Sequence, residues 1–371
     1  MKLKKIFLVS WLLLSFTVLT AAPQGPGRDN SRQETATQKE SLLEEKDIIE
    51  EDFNARDFVF EHIADSHEWH LFTMPDGHHV SIYLPVIVYS KTKGLNIFSS
   101  RHLAHGHDYR GFKIMEEGDL EGKIVELDEE GNMLLDSRPF DLSITKNVMA
   151  MLVVSVLLLW LFISLARSYR KTGISEPRGI QGFLEPIVLF VRDDIAIPNL
   201  GEHKYEKFMP YLLTVFFFIL LNNMLGLVPF FPGGANVTGN IAVTFTLAAF
   251  TMIIINVNGN REYWKHIFNT PGVPWWLKVP IPLMPLVELI GVIAKPFALM
   301  VRLFANITAG HIIVLSLISL IFIFKSVLIA PVSIVMVLFM ELIELLVAFL
   351  QAYIFTLLSA LFIGLAVQEE H

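Results

Sequence analysis

The sequence predicts a mostly α-helical polytopic membrane protein with five transmembrane helices, the last two long and tilted. A cytoplasmic surface helix and a small extracytoplasmic amino-terminal extension of β character complete it. Three observations carry that reading. Of the 371 residues, 53% are apolar and 18% charged, with a mean hydropathy of +0.51; an ordinary soluble domain has about 45–50% and about 25%. The charges segregate: residues 23–147 hold 25 acidic and 13 basic side chains, whereas residues 148–371 hold 12 and 13. Between Lys207 and Arg261 run 53 residues without a formal charge. These features exclude a single soluble globule. A chain with no Cys is not a disulfide scaffold, and a net charge of −8 without a basic face is not that of a nucleic-acid binder.

The first 22 residues have the pattern of a secretion signal. Lys2, Lys4 and Lys5 precede an apolar run from Ile6 to Thr20, and Thr20-Ala21-Ala22 supplies small residues for cleavage. The rival is an uncleaved membrane helix, but fifteen residues rise about 22 Å, short of a hydrocarbon core roughly 30 Å thick. Residues 23–147 then form an extracytoplasmic acidic, His-rich extension, of which 23–52 have a linker's Pro, Gly, Gln and Glu content. Val80 to Tyr89 and Gly94 to Phe98 have β-type character. Lys123 to Leu127 and Met133 to Leu135 read as a hairpin around Asp128-Glu129-Glu130-Gly131-Asn132. Eight of the twelve His fall between His62 and His107. With no Cys beside them and no HExxH spacing, they read as solvated surface histidines rather than metal ligands.

The membrane domain, 148–371, comes in five crossings. Val148 to Ala166 is a 19-residue run free of charge. The uncharged stretch after Lys207 is divided by Pro229-Phe230-Phe231-Pro232-Gly233-Gly234 into helices of about 208–229 and 240–258. Two longer helices follow at about 281–324 and 328–367, with Lys325 and Pro331 marking the turn between them. Each exceeds the roughly 20 residues that an upright crossing needs, so each tilts strongly or leaves the bilayer. Orientation follows from the basic loops. Arg167, Arg170, Lys171, Arg178, Arg192, Lys204 and Lys207 lie in one loop, and Arg261, Lys265 and Lys278 in another, against Lys325 alone opposite. Basic loops stay cytoplasmic, which puts the amino terminus outside and the carboxy terminus inside. Ile180 to Ile197 mixes apolar residues with Glu185 and Arg192 and reads as a helix along the membrane surface.

Charge within the bilayer is costly, so ionisable residues there mark function. Glu288, Lys295 and Arg302 are spaced by seven and share a helix stripe, drifting about 20° per step, which Asn306 extends. Glu341, Glu344 and Gln351 lie on the next helix. In an antiparallel pair, residues level with each other have numbers of constant total. Arg302 with Gln351 totals 653 and His311 with Glu344 totals 655, so one register brings both pairs level. His311 then stands about 13.5 Å above Arg302, and Glu344 about 10.5 Å above Gln351, towards the outer face. Imidazole and carboxylate exchange protons near neutral pH when they tune each other. Arg never deprotonates in a protein, so it acts as a barrier and not a carrier. The alternative, a structural ion pair of Arg302 with a carboxylate of its own chain, leaves Lys295 and Asn306 on the stripe unexplained.

At these residues the chain resembles subunit a of the F-type ATP synthases. The likeness lies in Ala294-Lys295-Pro296, in Met300 through His311 (with Arg302-Leu303-Phe304-Ala305-Asn306), in Leu350-Gln351-Ala352 and in the carboxy-terminal Gln368-Glu369-Glu370-His371. Asn222-Asn223 through Pro229 and Ala235-Asn236-Val237-Thr238 share it. The resemblance implies a stator beside a rotating c-ring, with a peripheral-stalk subunit b, lipid and, indirectly, the soluble catalytic sector as partners, in a bacterial inner membrane. It implies that Arg302 faces the ring carboxylate with Gln351 beside it. His311, Glu344 and Asn223 would line the outer half-channel, Asn306 would extend the arginine's stripe, and Glu288 would lie towards the cytoplasmic exit. Lys295 and Glu341 are further candidates. A carboxylate that some members carry near Gly226 is missing here, and the acidic extension exceeds the family's usual short amino-terminal segment.

No GxxxxGK[ST] motif occurs, so the expected role is an ion path that is not itself catalytic and needs no cofactor and no nucleic acid. A secondary transporter of another family is the competing class. It would need paired repeats with broken helices, and the sequence shows no internal duplication. A membrane receptor using the His-rich extension would not need Arg302, His311, Glu344 and Gln351 in register.

Overall fold

The computed structural model describes residues 55–73, 79–115, 120–128, 130–134, 139–172, 179–228, 233–268, 283–324 and 329–368. The signal segment, the 23–52 linker, Pro229 to Pro232 and Lys325 lie outside them. The chain divides into two compact units. One comprises Met1–Ala22, Lys146–Gly310 and Glu341–His371, and the other Pro23–Thr145 and His311–Met340.

The five expected apolar crossings are helices. Among the described residues, five helices are long and apolar enough to cross a membrane. After a short amino-terminal helix, α1 (Ala55–Ile63), they are α2 (Lys146–Thr172), α5 (Tyr205–Leu227), α6 (Ile241–Asn258), α8 (Leu283–Phe324) and α9 (Ile329–Val367). Between α2 and α5 lie α3 (Ile180–Phe190), a wider π turn over Val191–Ala196, and the short α4 (Ile197–Leu200). That turn sits next to Pro198, which has no N–H to give the preceding turn. The segment read as a surface helix is therefore helical. It buries Leu184, Val191, Ile195 and Leu200 and packs its π turn on α5. α7 (Arg261–Phe268) is a further helix, in a loop for which the sequence suggested none.

Bilayer-facing helices gain little from the hydrophobic effect between themselves, so shape and hydrogen bonds join them. Phe190, Phe216, Phe349 and Tyr353 interlock from α3, α5 and α9, with ring centroids 5.6–6.4 Å apart. Tyr211 on α5 and Thr251 on α6 share a hydrogen bond of 2.7 Å, and Ser359 on α9 lies 3.5 Å from Thr251. The end of α9 is held by its neighbours. Lys204 donates to the Val367 carbonyl at 2.7 Å and the Asn260 amide donates to that of Ala366 at 2.9 Å, giving the helix's last carbonyls donors and a cation. Gly364 lies so close to the Asn199 carbonyl that any Cβ there would collide with it.

In the other unit, the run of β-type character from Val80 to Tyr89 forms two strands. β2 (His79–Tyr83) pairs with β1 (Glu68–Thr73), and β3 (Pro85–Ser90) is the centre of a three-stranded antiparallel sheet between β4 (Gly94–Ser99) and β7 (Phe140–Asp141). Leu84 separates them, its amide held by the Ser100 hydroxyl at 3.0 Å. The expected hairpin forms, though short. The turn at Asp128 is closed by an antiparallel bridge between Leu127 and Met133 and by the Leu134 amide on the Glu126 carbonyl at 3.0 Å, while β6 (Ile124–Glu126) also pairs with β5 (Phe112–Ile114). Val86, Val88, Phe98, Leu103, Phe112 and Ile124 form the core. Glu126, fully buried, accepts from the Ser90 and Thr92 hydroxyls with the Lys93 ammonium 3.7 Å away. His67 corrects the reading of these histidines as solvated. It is 4% exposed and its Nε2 lies 3.2 Å from Asp141 Oδ2.

Candidate functional site

α8 and α9 approach closely at a glycine. A Cβ on Gly310 would lie 2.5 Å from Glu344 Oε1 and 2.9 Å from its Cδ, so the carboxyl group lies against the α8 backbone where a larger residue would push it aside. Glu344 is 4% exposed. The four-residue connection between the helices makes them antiparallel, and 310 with 344 totals 654, between the two totals expected. From this contact, Arg302 lies eight residues back along α8 and Gln351 seven residues on along α9, about 12 and about 10.5 Å in the same direction. The two therefore lie at nearly one depth. Ser333, nearer the turn, donates to the Leu317 carbonyl in the same antiparallel sense.

Arg302 points away from the helix bundle. It is exposed, and among the described residues its guanidinium joins no hydrogen bond or ion pair. Lys295, Ala298, Ala305, Asn306 and Ala309, at positions −7, −4, +3, +4 and +7 from it, are exposed as well. A cation is thus flanked by small side chains, which permit close approach of another helix. Pro296 inside α8 removes the donor for the carbonyl four residues earlier.

Gln351 faces inward at 5% exposure, on the same α9 face as Ala348 and Glu344. Asn223, 3% exposed on α5, reaches that face. Its Nδ2 donates to the Ala348 carbonyl at 3.4 Å and its Oδ1 accepts from the Thr238 hydroxyl at 2.5 Å. Among the described residues, Asn222 Oδ1, Asn236 Nδ2, Thr308 Oγ1 and Thr356 Oγ1 are buried without a hydrogen-bond partner. Buried polar atoms of this kind are ordinarily satisfied by water. The structure thus brings Asn223, Glu344 and Gln351 to one polar, buried face of α9. Glu288 and Lys295 are engaged elsewhere. Glu288 Oε1 lies 4.0 Å from His266 Nδ1, and Lys295 stands 5.5 Å over the Phe362 ring. His311 follows Gly310 on α8 and is half-buried, as is Glu341 on α9.

Three participants take their part only through the fold. His266 was counted as part of a loop; the 22 residues from it to Glu288 hide their meeting. Thr238 becomes a partner of Asn223 only when the segment after Pro232 folds back. Gly310 had a signal, because its number and that of Glu344 total a value between the two found. Among the described residues no group of three or more His, Cys, Asp or Glu gathers as metal ligands would.

The comparisons with known proteins give the family. The family model described as the ATP synthase A chain matches residues 148–364. A second, described as a domain of unknown function, matches residues 58–142. ATP synthase subunit a of Chloroherpeton thalassium is 49% identical over 238 residues, 62% of this chain and 68% of that one. ATP synthase subunit a 2 of Prosthecochloris aestuarii is 45% identical over 282 residues, 73% of this chain and 84% of that one. ATP synthase subunit a of Chlorobium phaeobacteroides is 42% identical over 297 residues, 76% and 84% of the two. Residues 148–371 number 224, so the two longer matches reach into the β extension. With a family model matched across more than half its length and relatives this similar, the chain belongs to the ATP synthase subunit a family.

Proposed function

We propose that the chain is the proton-translocating stator of the membrane sector of an F-type ATP synthase. It offers a rotating c-ring two offset half-channels, with Arg302 as the charge barrier between them. The observation that carries the proposal is Arg302 itself, outward on an apolar 42-residue helix and without a partner among the described residues. A cation at bilayer depth needs a counter-charge, and the side it faces is open to one on another subunit. A proton enters from outside past His311, Glu344 and Asn223 and neutralises a ring carboxylate. That site then leaves Arg302 for lipid while its neighbour arrives, and the proton departs inside past Glu288. Arg302 holds each arriving carboxylate and never gives up its own proton. Gln351 lies level with it, and Asn306 keeps the stripe polar. Each charge crossing 100 mV releases about 2.3 kcal/mol, which the soluble sector stores chemically.

In this reading residues 1–22 are a cleaved signal, 23–147 lie outside a bacterial inner membrane, and the carboxy terminus is cytoplasmic. The basic loops on one side and the signal pattern support that orientation independently. Subunit b joins the stator to the catalytic sector. The absence of Cys makes a direct test simple. In the assembled complex, Asn306→Cys and Ala309→Cys are expected to form disulfides with a Cys placed beside the ring carboxylate, and Leu303→Cys, on the buried side, is not. Cross-linking at Leu303 with none at Asn306 or Ala309 would overturn the assignment.

A further inference from the structure

The extension carries an apolar surface that its own core does not use. In the sheet β4-β3-β7 the pleat sends Val86, Val88 and Phe98 into the core and the alternate residues outward. The register places Ile97 opposite Ile87, and both Leu95 and Phe140 opposite Tyr89. The Leu142 amide donates to the Ile87 carbonyl at 2.8 Å. Ile87, Tyr89, Leu95, Ile97, Phe140 and Leu142 therefore share one face. Tyr89, Leu95, Ile97 and Phe140 are 52%, 61%, 59% and 58% exposed. None of the six is charged, although residues 23–147 carry 25 acidic side chains. Isolated exposed apolar residues are ordinary, but six on one sheet face mark a surface that is covered in use.

Two observations indicate what covers it. The first is covalent reach. Leu142 precedes Lys146, where the first spanning helix begins, by four residues, and an extended chain advances at most about 3.6 Å per residue. The β7 edge of the face therefore stays within about 15 Å of a helix that enters lipid. The second is a packing contact. The Phe58 ring of α1 lies 6.2 Å from that of Phe322, in the last turn of an apolar span that ends at Phe324. The fold is thus tied by four residues to the start of one spanning helix, and its α1 touches the last turn of another.

We propose that this sheet face docks on the outer surface of the lipid bilayer. Ile87, Leu95, Ile97, Phe140 and Leu142 enter the headgroup–acyl boundary, and Tyr89 lies there with its hydroxyl towards water. Binding is apolar, since the acidic extension would be repelled by anionic headgroups. The proposal rests on the chain crossing a membrane and not on the role of Arg302.

The test uses the full chain in phosphatidylcholine proteoliposomes, with a nitroxide label on Leu95→Cys or Ile97→Cys, each alone in a chain otherwise free of Cys. Both positions are outward, so the core is undisturbed and each variant checks the other. Arg101→Cys, also exposed, is the reference for water. Docking predicts that dissolved oxygen relaxes the Leu95 and Ile97 labels more than the Arg101 label, and that a water-soluble nickel complex relaxes them several-fold less. Labels as open to nickel as Arg101 would show a face in water. Labels shielded from both reagents would show a protein cover, whether a second copy, another subunit or residues 23–54. Either result overturns the proposal, and neither bears on proton pumping.

Discussion

Arg302 and Gly310 act at the scale of single residues, and neither works alone. A permanent cation on a helix surface in lipid costs several kcal/mol unless something outside the chain meets it, so its exposure is a statement about a partner. Gly310 sets where Glu344 stands relative to that cation. Adding one methyl group at Gly310 places a carbon 2.5 Å from Glu344 Oε1, so the end of that side chain must move aside. Gly310→Ala is expected to displace the carboxyl group and slow ATP-driven acidification of inverted vesicles severalfold. Gly291→Ala, on the same helix with nothing within 4 Å of its Cβ position, leaves the rate unchanged. Equal rates in the two variants would contradict the role given to Gly310. The depth of Arg302 against Gln351 was legible from numbering alone, because an antiparallel helix pair is a linear ruler. His67 was not legible. Its burial depends on Asp141, 74 residues away, and no local pattern announces a partner at that distance.

Elements were legible in proportion to how local their causes are. The membrane helices follow from runs without charge, since the backbone in lipid must satisfy itself within the helix, and the observed limits of α2, α5, α6, α8 and α9 fall close to those read from composition. The sheets depend on pairing between separate segments, and there β6 takes β5 as a partner besides the hairpin that the sequence suggested. β7 is the two-residue case: too short to read, it still closes a sheet because Asp141 is fixed by His67 and by the Ser143 amide at 2.8 Å. Burial pushes the Asp141 carboxyl up, but hydrogen bonds from His67 and Ser143 and the His67 charge outweigh it and hold the group below its ordinary 3.8. A carboxyl lowered by folding stabilises the fold fully above its unfolded value, and that contribution is lost as pH falls through 3.8 towards the folded one. The extension's thermal unfolding midpoint is therefore expected to drop between about pH 5 and about pH 3. Asp141→Asn, followed in the same full-length chain, should have a lower midpoint at pH 6 and a weaker acid dependence. An unchanged slope in the variant would remove Asp141 from the explanation.

At the scale of the whole molecule, the chain joins two solvents' worth of chemistry. An acidic β fold precedes a near-neutral helical domain whose charges are few and placed. The family match covers the helical domain, and the longer alignments show that part of the extension belongs with it. The proposed role depends on the two half-paths being kept apart by one group that binds a carboxylate without passing a proton. The direct measurement is Arg302→Ala in inverted membrane vesicles, reading ATP-driven acidification beside ATP hydrolysis by the soluble sector. The account predicts that acidification is abolished while hydrolysis continues and the chain still assembles. Acidification at the rate of the unaltered protein, with Arg302 absent, would contradict it.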